Sequence, residues 1–257
     1  YYNYVDEIVL GIDKDRISWS GNTFEIDEES LWSELSNIDG DSKITIVEED
    51  FHQSKVAIEN DNYERNFLKG ECSNDWIFSF DADEMLVNAK DFFYNFCPIV
   101  EDYRHEKDLC MWWTTPYKVV HDDEGEVTLM IAEEDGSPFL KENQGFATSK
   151  DSTYTYARWT DKSAAGDNRL MTPLVVLHWS LCRPDDELHQ KINNIGHSDI
   201  VEEDPFYKIW TQVDMTNYTQ LRNFKTSGLG GNQWPKLEPI PSDNVEDYIK
   251  QYLSRAY

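Results

Sequence analysis

The chain has 257 residues, 23 basic against 50 acidic, for a formal net charge of −27. A surface of that sign repels nucleic acid and anionic membranes, so a polyanionic ligand would need a local basic groove. The 9 Trp, 14 Tyr and 12 Phe exclude a disordered chain, the length allows a full core, and no apolar run approaches the ~20 residues of a membrane helix.

The chain opens without methionine and almost directly in a strand, which leads us to expect a further N-terminal piece. Residues 7–12 read as a buried strand ending at Asp13. Leu31, Leu35 and Ile38 then fall at the spacing of a core-facing helix. A second strand, 43–47, is closed by Glu48, Glu49 and Asp50, and residues 63–72 read as helix. The apolar run Trp76-Ile77-Phe78-Ser79-Phe80 has the pattern of a strand buried on both faces, and it stops at Asp81-Ala82-Asp83-Glu84. This alternation predicts an α/β domain over 1–180 with a mostly parallel, Rossmann-like sheet, whose ligands bind at the carboxyl ends of the strands. Asp13, Asp50, Asp81 and Asp83 all fall at such ends.

Strand side chains alternate faces, so Asp81 and Asp83, two apart at this strand end, can point the same way into one crevice and suit Mn²⁺ or Mg²⁺. With this many acids, chance alone supplies roughly 10 acid-x-acid pairs, and a solvated acidic turn is the plain alternative. Beyond residue 88 the alternation lapses. Residues 109–120 read as a longer strand, with Pro116 favouring an edge or a bulge, and 126–131 as its partner. Residues 132–172 lack periodicity and would form an acceptor-binding loop or lid. There Tyr154, Tyr156 and Trp159 would offer faces to a sugar ring, or else pack on the sheet.

Residues 173–179 form another buried strand ending near His178, either a third metal ligand or a core histidine. Pro184 opens a helix with Asp185, Asp186 and Glu187 in its first turn and Gly196 beyond its end. On or beside it, Arg183, Lys191 and His197 are candidates for phosphate oxygens. A longer helix carrying Phe206, Trp210, Val213, Leu221 and Phe224 is expected next, then a Gly/Pro-rich connection over 228–241 and a last helix with Val245, Ile249 and Leu253. Residues 181–257 thus read as a helical extension. Cys72, Cys97, Cys110 and Cys182 include no C-x-x-C pair, which argues against zinc and for a reducing, cytoplasmic compartment. Walker, Rossmann-glycine and G-x-S-x-G motifs are absent from the sequence.

Taken together, Glu64-Arg65-Asn66 followed by WIFSFDADE resembles the nucleotide-sugar glycosyltransferases of the GT-A fold, family-2-like members in particular, where an Ala-Arg-Asn element precedes a D-x-D metal motif. The tail LHWSLCRPDDELHQKINNIGHS is similar to a histidine-strand and helix segment of the same enzymes. The likeness covers roughly residues 7–198. It implies a nucleoside-diphosphate sugar across the strand ends, Asp13 near the nucleoside and Arg65, Asp81, Lys191 and His197 toward the donor. The cation would sit on Asp81, Asp83 and His178, and the acceptor would be a glycan or other hydroxyl compound. Inverting transfer would need a carboxylate base, for which Asp161 and Asp167 are the nominations. The family's usual first strand, which holds the base, is not among these residues. Alternatives are a nucleotidyltransferase, a transferase acting on modified DNA bases, or a non-catalytic, cation-dependent carbohydrate-binding protein.

Overall fold

A computed structural model describes residues 1–163, 168–194, 203–225 and 233–256. The first third follows the expected alternation: β1 (Ile8–Asp13), α1 (Glu28–Ile38), β2 (Ile44–Glu49), α2 (Ala57–Glu71) and β3 (Trp76–Phe78). Asp27 caps α1 by accepting the Ser30 N–H, and Glu28 and Glu29 complement the helix dipole in its first turn. Strands β1 and β2 pair in parallel, Ile8 opposite Ile44 through Asp13 opposite Glu49.

The expectation of a mostly parallel sheet fails after that. The turn at 79–83 leads into β4 (Glu84–Leu86), then α3 (Ala89–Asp91), a π-helical turn (Phe92–Phe96) and α4 (Cys97–Val100). Strands β5 (Asp108–Thr114), β6 (Pro116–His121), β7 (Glu126–Ala132), β8 (Lys141–Ser149), β9 (Tyr154–Tyr156), β10 (Trp159–Thr160) and β11 (Arg169–His178) follow. Five of the strands form one sheet in the order β3-β8-β5-β11-β4, in which only β5 and β11 run parallel. The cause is β8. It comes from the stretch that looked aperiodic, and it inserts antiparallel between β3 and β5. Its sequence, KENQGFATS, carries few apolar residues, yet Phe146 and Ala147 are buried.

The C-terminal part supplies α5 (Asp185–Asn194), α6 (Glu203–Gln212), β12 (Arg222–Lys225), β13 (Gln233–Pro241) and α7 (Val245–Ala256). Part of the expected connection over 228–241 is thus strand β13, which pairs with β7 in the antiparallel sheet β12-β13-β7-β6. The anticipated long helix stops at Gln212, and Phe224 belongs to β12.

Alternation along doubly covered strands divides the core. Leu129 and Ile131 of β7 join Leu188 and Ile192 of α5 and Trp210 of α6, whereas Met130 joins Val175 and Leu177 of β11 and Val245 and Ile249 of α7. Val176 points the other way, to Leu109, Phe146 and Phe92. Among the described residues no helix is long and apolar enough to cross a membrane.

Candidate functional site

The ends of β1, β3 and β11 and one face of α2 and α5 meet around the acidic turn after β3. That turn is tight: the Glu84 N–H donates to the Asp81 carbonyl at 3.0 Å. Residues 79–83 therefore leave the strand, and the two-residue alternation that would put Asp81 and Asp83 on one face does not apply. The two carboxylates go to different partners.

Asp81 is held from α2 and from the β9–β10 hairpin. Arg65 Nη2 lies 3.1 Å and Arg158 Nη2 3.0 Å from Asp81 Oδ1. Arg65 also donates to Asp61 Oδ1 at 2.6 Å and to Ser79 Oγ at 2.9 Å. Desolvation would raise the Asp81 pKa, but Arg158 and Arg65 more than offset it and hold the carboxyl well below its usual range.

Behind it Glu84, its side chain fully buried, accepts from Arg158 Nη2 at 2.5 Å, Trp113 Nε1 at 3.1 Å and the Asp81 N–H at 2.8 Å. Arg158 was not singled out from sequence, and its only signal is indirect. At Gly145 of β8 a Cβ would lie 2.8 Å from the Arg158 carbonyl, and Ala157 takes a positive φ of 49°. A glycine opposite a strained turn lets the hairpin lie on the sheet and aim Arg158 inward.

Asp83 faces the other way. Arg183 Nη2 donates to its Oδ2 at 2.7 Å, Lys191 Nζ binds the same oxygen, and His178 Nε2 is 3.7 Å from Oδ1. Although burial raises its pKa, Lys191, His178 and Arg183 bring the Asp83 carboxyl below its usual range. His178 stacks on Trp113 with ring centroids 4.7 Å apart. Burial pushes its pKa down to about 4, against the pull of Asp83, so the imidazole is neutral at pH 7. Arg183 and Lys191 keep 28% and 26% of their side-chain surface exposed, within reach of a ligand, whereas Arg158 keeps 3%.

Among the described residues no three His, Cys, Asp or Glu side chains are placed to hold an ion, so the expected set of Asp81, Asp83 and His178 does not come together. Asp83 and His178 remain as a pair. Two protein donors suit a cation that arrives already bound to phosphate oxygens rather than a resident one.

The other nominated residues scatter. Asp13 ends β1 but is fully used by backbone: its carboxylate accepts the N–H groups of Asp15, Ile17 and Phe51. Asp161 accepts the Thr153 N–H within its own hairpin. Tyr154 is buried, its main chain exchanging hydrogen bonds with the Asn66 amide. Tyr156 is exposed, and Trp159 carries the Arg169 guanidinium 3.9 Å from its ring centroid. Asp167 and His197 lie outside the described residues.

One acid has the properties expected of a proton carrier. Glu64 lines the crevice beside Arg65, takes a 2.5 Å hydrogen bond from Trp19 Nε1, and burial pushes its pKa up to about 7. The folded state therefore holds this proton more tightly than the unfolded chain, so stability falls as pH rises past 4.5 and levels off above about 7. The full span is on the order of 3 kcal/mol. Glu64→Gln, which keeps the acceptor for Trp19, is expected to remove that slope. Its melting temperature should exceed the wild type's at pH 8 and approach it at pH 5; parallel curves at all pH values would dismiss the shifted acid.

Comparison with known protein families and with curated proteins finds no match for this chain.

Proposed function

We propose that the protein is a glycosyltransferase that takes a sugar from a nucleoside diphosphate, with the diphosphate held at the Asp83 side of the crevice. The observation that carries this reading is the meeting of two segments about a hundred residues apart. Asp83, from the acidic turn, is gathered by His178 at the end of β11, Arg183 just before α5 and Lys191 in the last turn of α5.

The charges in direct contact divide unevenly. Asp61, Asp81 and Glu84 set three carboxylates against Arg65 and Arg158. Asp83 alone faces two cations and a neutral imidazole. That second group carries the spare positive charge, so a diphosphate is drawn there in a protein otherwise at −27. Arg183 offers its planar fork, Lys191 a point charge, and both stabilise the charge that grows on the leaving diphosphate. Asp83 with His178 would hold an Mn²⁺ or Mg²⁺ that enters with the donor. Glu64, in the cavity that also reaches Asp81, would be the acid for proton transfer.

Titration calorimetry with uridine, guanosine, adenosine and cytidine diphosphates, with and without Mn²⁺, tests the reading. At least one should bind, and Lys191→Met should weaken it about 10-fold or more, the order of one charge-assisted contact. Failure of all four to bind folded protein, with no slow hydrolysis of their sugar esters, would sink it.

A further inference from the structure

A histidine that serves as a ligand is usually turned and held by a hydrogen bond from its other ring nitrogen. The His178 ring makes none among the described residues, and its Nε2, 3.7 Å from Asp83 Oδ1, lies beyond hydrogen-bond reach of that oxygen. A side chain left to turn about two torsions visits several rotamers and presents no fixed donor. Another contact has to set the ring.

Trp113 supplies it. In the central sheet Trp113 of β5 lies opposite Val176 of β11, and His178 of β11 lies opposite Glu84 of β4. Residues two apart on a strand share a face, so Trp113, Val176, His178 and Glu84 stand on one side of three adjacent strands. Trp113 and His178 are diagonal neighbours there, within reach of a ring as large as indole. The indole leans across β11. Its face stacks on the imidazole, with centroids 4.7 Å apart and planes 23° from parallel, and its Nε1 donates to Glu84 Oε1 on the far strand at 3.1 Å.

Trp113 is itself fixed. The carboxylate that accepts its N–H is held by Arg158, whose guanidinium lies 5.9 Å from the indole centroid. The Phe146 ring meets the indole edge-on at 6.2 Å. A flat ring with a tethered N–H has one orientation, and it passes that orientation to the imidazole stacked on it. Because Arg158 binds both Glu84 and Asp81, the indole also ties the two acidic groups of the crevice into one unit.

We propose that Trp113 is a positioning residue of the Asp83 site. It sets the plane of His178 by stacking, in place of the hydrogen bond that ordinarily does so. Nε2 is thereby kept beside Asp83 Oδ1, where the pair can take a cation arriving on a diphosphate. What is bound rests on the transferase reading; the ordering of the ring does not.

Two measurements on the same proteins test this and keep the two readings apart. One needs no ligand: ¹³C relaxation of the histidine ring carbons. The His178 ring should be rigid in wild type, with an order parameter near ~0.85, and should fall below ~0.6 in Trp113→Met, where a flexible chain replaces the indole. Trp113→Phe keeps an aromatic face and should stay close to wild type. The other is calorimetry with uridine, guanosine, adenosine and cytidine diphosphates. Stimulation of binding by Mn²⁺ should drop ~10-fold or more in Trp113→Met and largely return in Trp113→Phe. Binding without metal, which uses Arg183 and Lys191, should be the same in all three. A mobile His178 ring in wild type overturns the proposal, as does a ring that stays rigid in folded Trp113→Met or loosens in Trp113→Phe. Metal-free binding that falls in step with Mn²⁺ stimulation also overturns it, because the role would then be structural. Should Trp113→Met not fold, wild type and Trp113→Phe decide the matter. If no nucleoside diphosphate binds wild type, the transferase reading falls, and ring order alone decides whether Trp113 positions His178.

Discussion

Arg158→Met is expected to destabilise the protein by about 3–5 kcal/mol, the cost of stripping one partner from a buried ion pair. Arg158 is the only cation in contact with the fully buried Glu84 side chain among the described residues, and it also donates to Asp81 and to the Ser79 carbonyl. Its guanidinium lies 4.5 Å from the Phe146 ring centroid, so methionine keeps most of the packing while removing the charge and the hydrogen bonds it makes. Burial already pushes the Glu84 carboxyl up against the pull of Arg158, and without the arginine it would take a proton at neutral pH. The loss should thus be larger at pH 8 than at pH 5. Arg158→Met combined with Glu84→Gln should recover much of it, because the two sites are coupled. At roughly 2–4 °C per kcal/mol for a protein of this size, the single variant should melt about 10 °C lower. A loss below about 1 kcal/mol in urea titrations would mean that Glu84 is not held by this pair.

The unevenness of what sequence reveals has physical causes. The opening β1-α1-β2-α2-β3 order is legible because each strand is a compact apolar run and α1 carries a periodic stripe, although Ile38 of that stripe is exposed and α2 begins at Ala57, ahead of the expected 63–72. β8 is not. It is buried by its neighbours rather than by its own composition, and only Phe146 and Ala147 betray it, so the inference of a parallel sheet fails at this inserted strand, as it does at β4 and in the antiparallel sheet β12-β13-β7-β6. Asp83, His178, Arg183 and Lys191 are visible as residue types at strand and helix ends, where ligands gather. That Asp81 and Asp83 part company is not visible, since it depends on a turn that ends β3 at Phe78, three residues before Asp81. Arg158 is hidden for a similar reason. Its role rests on a positive φ at Ala157 and on the space above Gly145, and neither has a sequence signature when read alone. Tyr154, an aromatic in an aperiodic stretch, proved to be core because Asn66 binds its main chain.

Asp83→Asn is expected to lower turnover with a nucleoside-diphosphate sugar by about 10²–10³-fold, the usual scale for losing one preorganised charge at a transferring centre. The asparagine keeps the size and one acceptor for Arg183, so folding should survive. What it loses is the negative charge that pins Arg183 and Lys191 in place and that would receive a cation arriving on the diphosphate. The two parts of that role separate experimentally. Nucleoside diphosphate alone should bind Asp83→Asn at least as well as wild type, because two cations are freed of their carboxylate. Stimulation of binding by Mn²⁺ should disappear, because the neutral His178 remains as a single ligand. Weaker binding without metal would mean that Asp83 orders the two cations rather than competing for them. Full Mn²⁺ stimulation in a folded Asp83→Asn protein would remove the cation from this side of the crevice altogether, and the Asp83–His178 pair would then have no part in holding it.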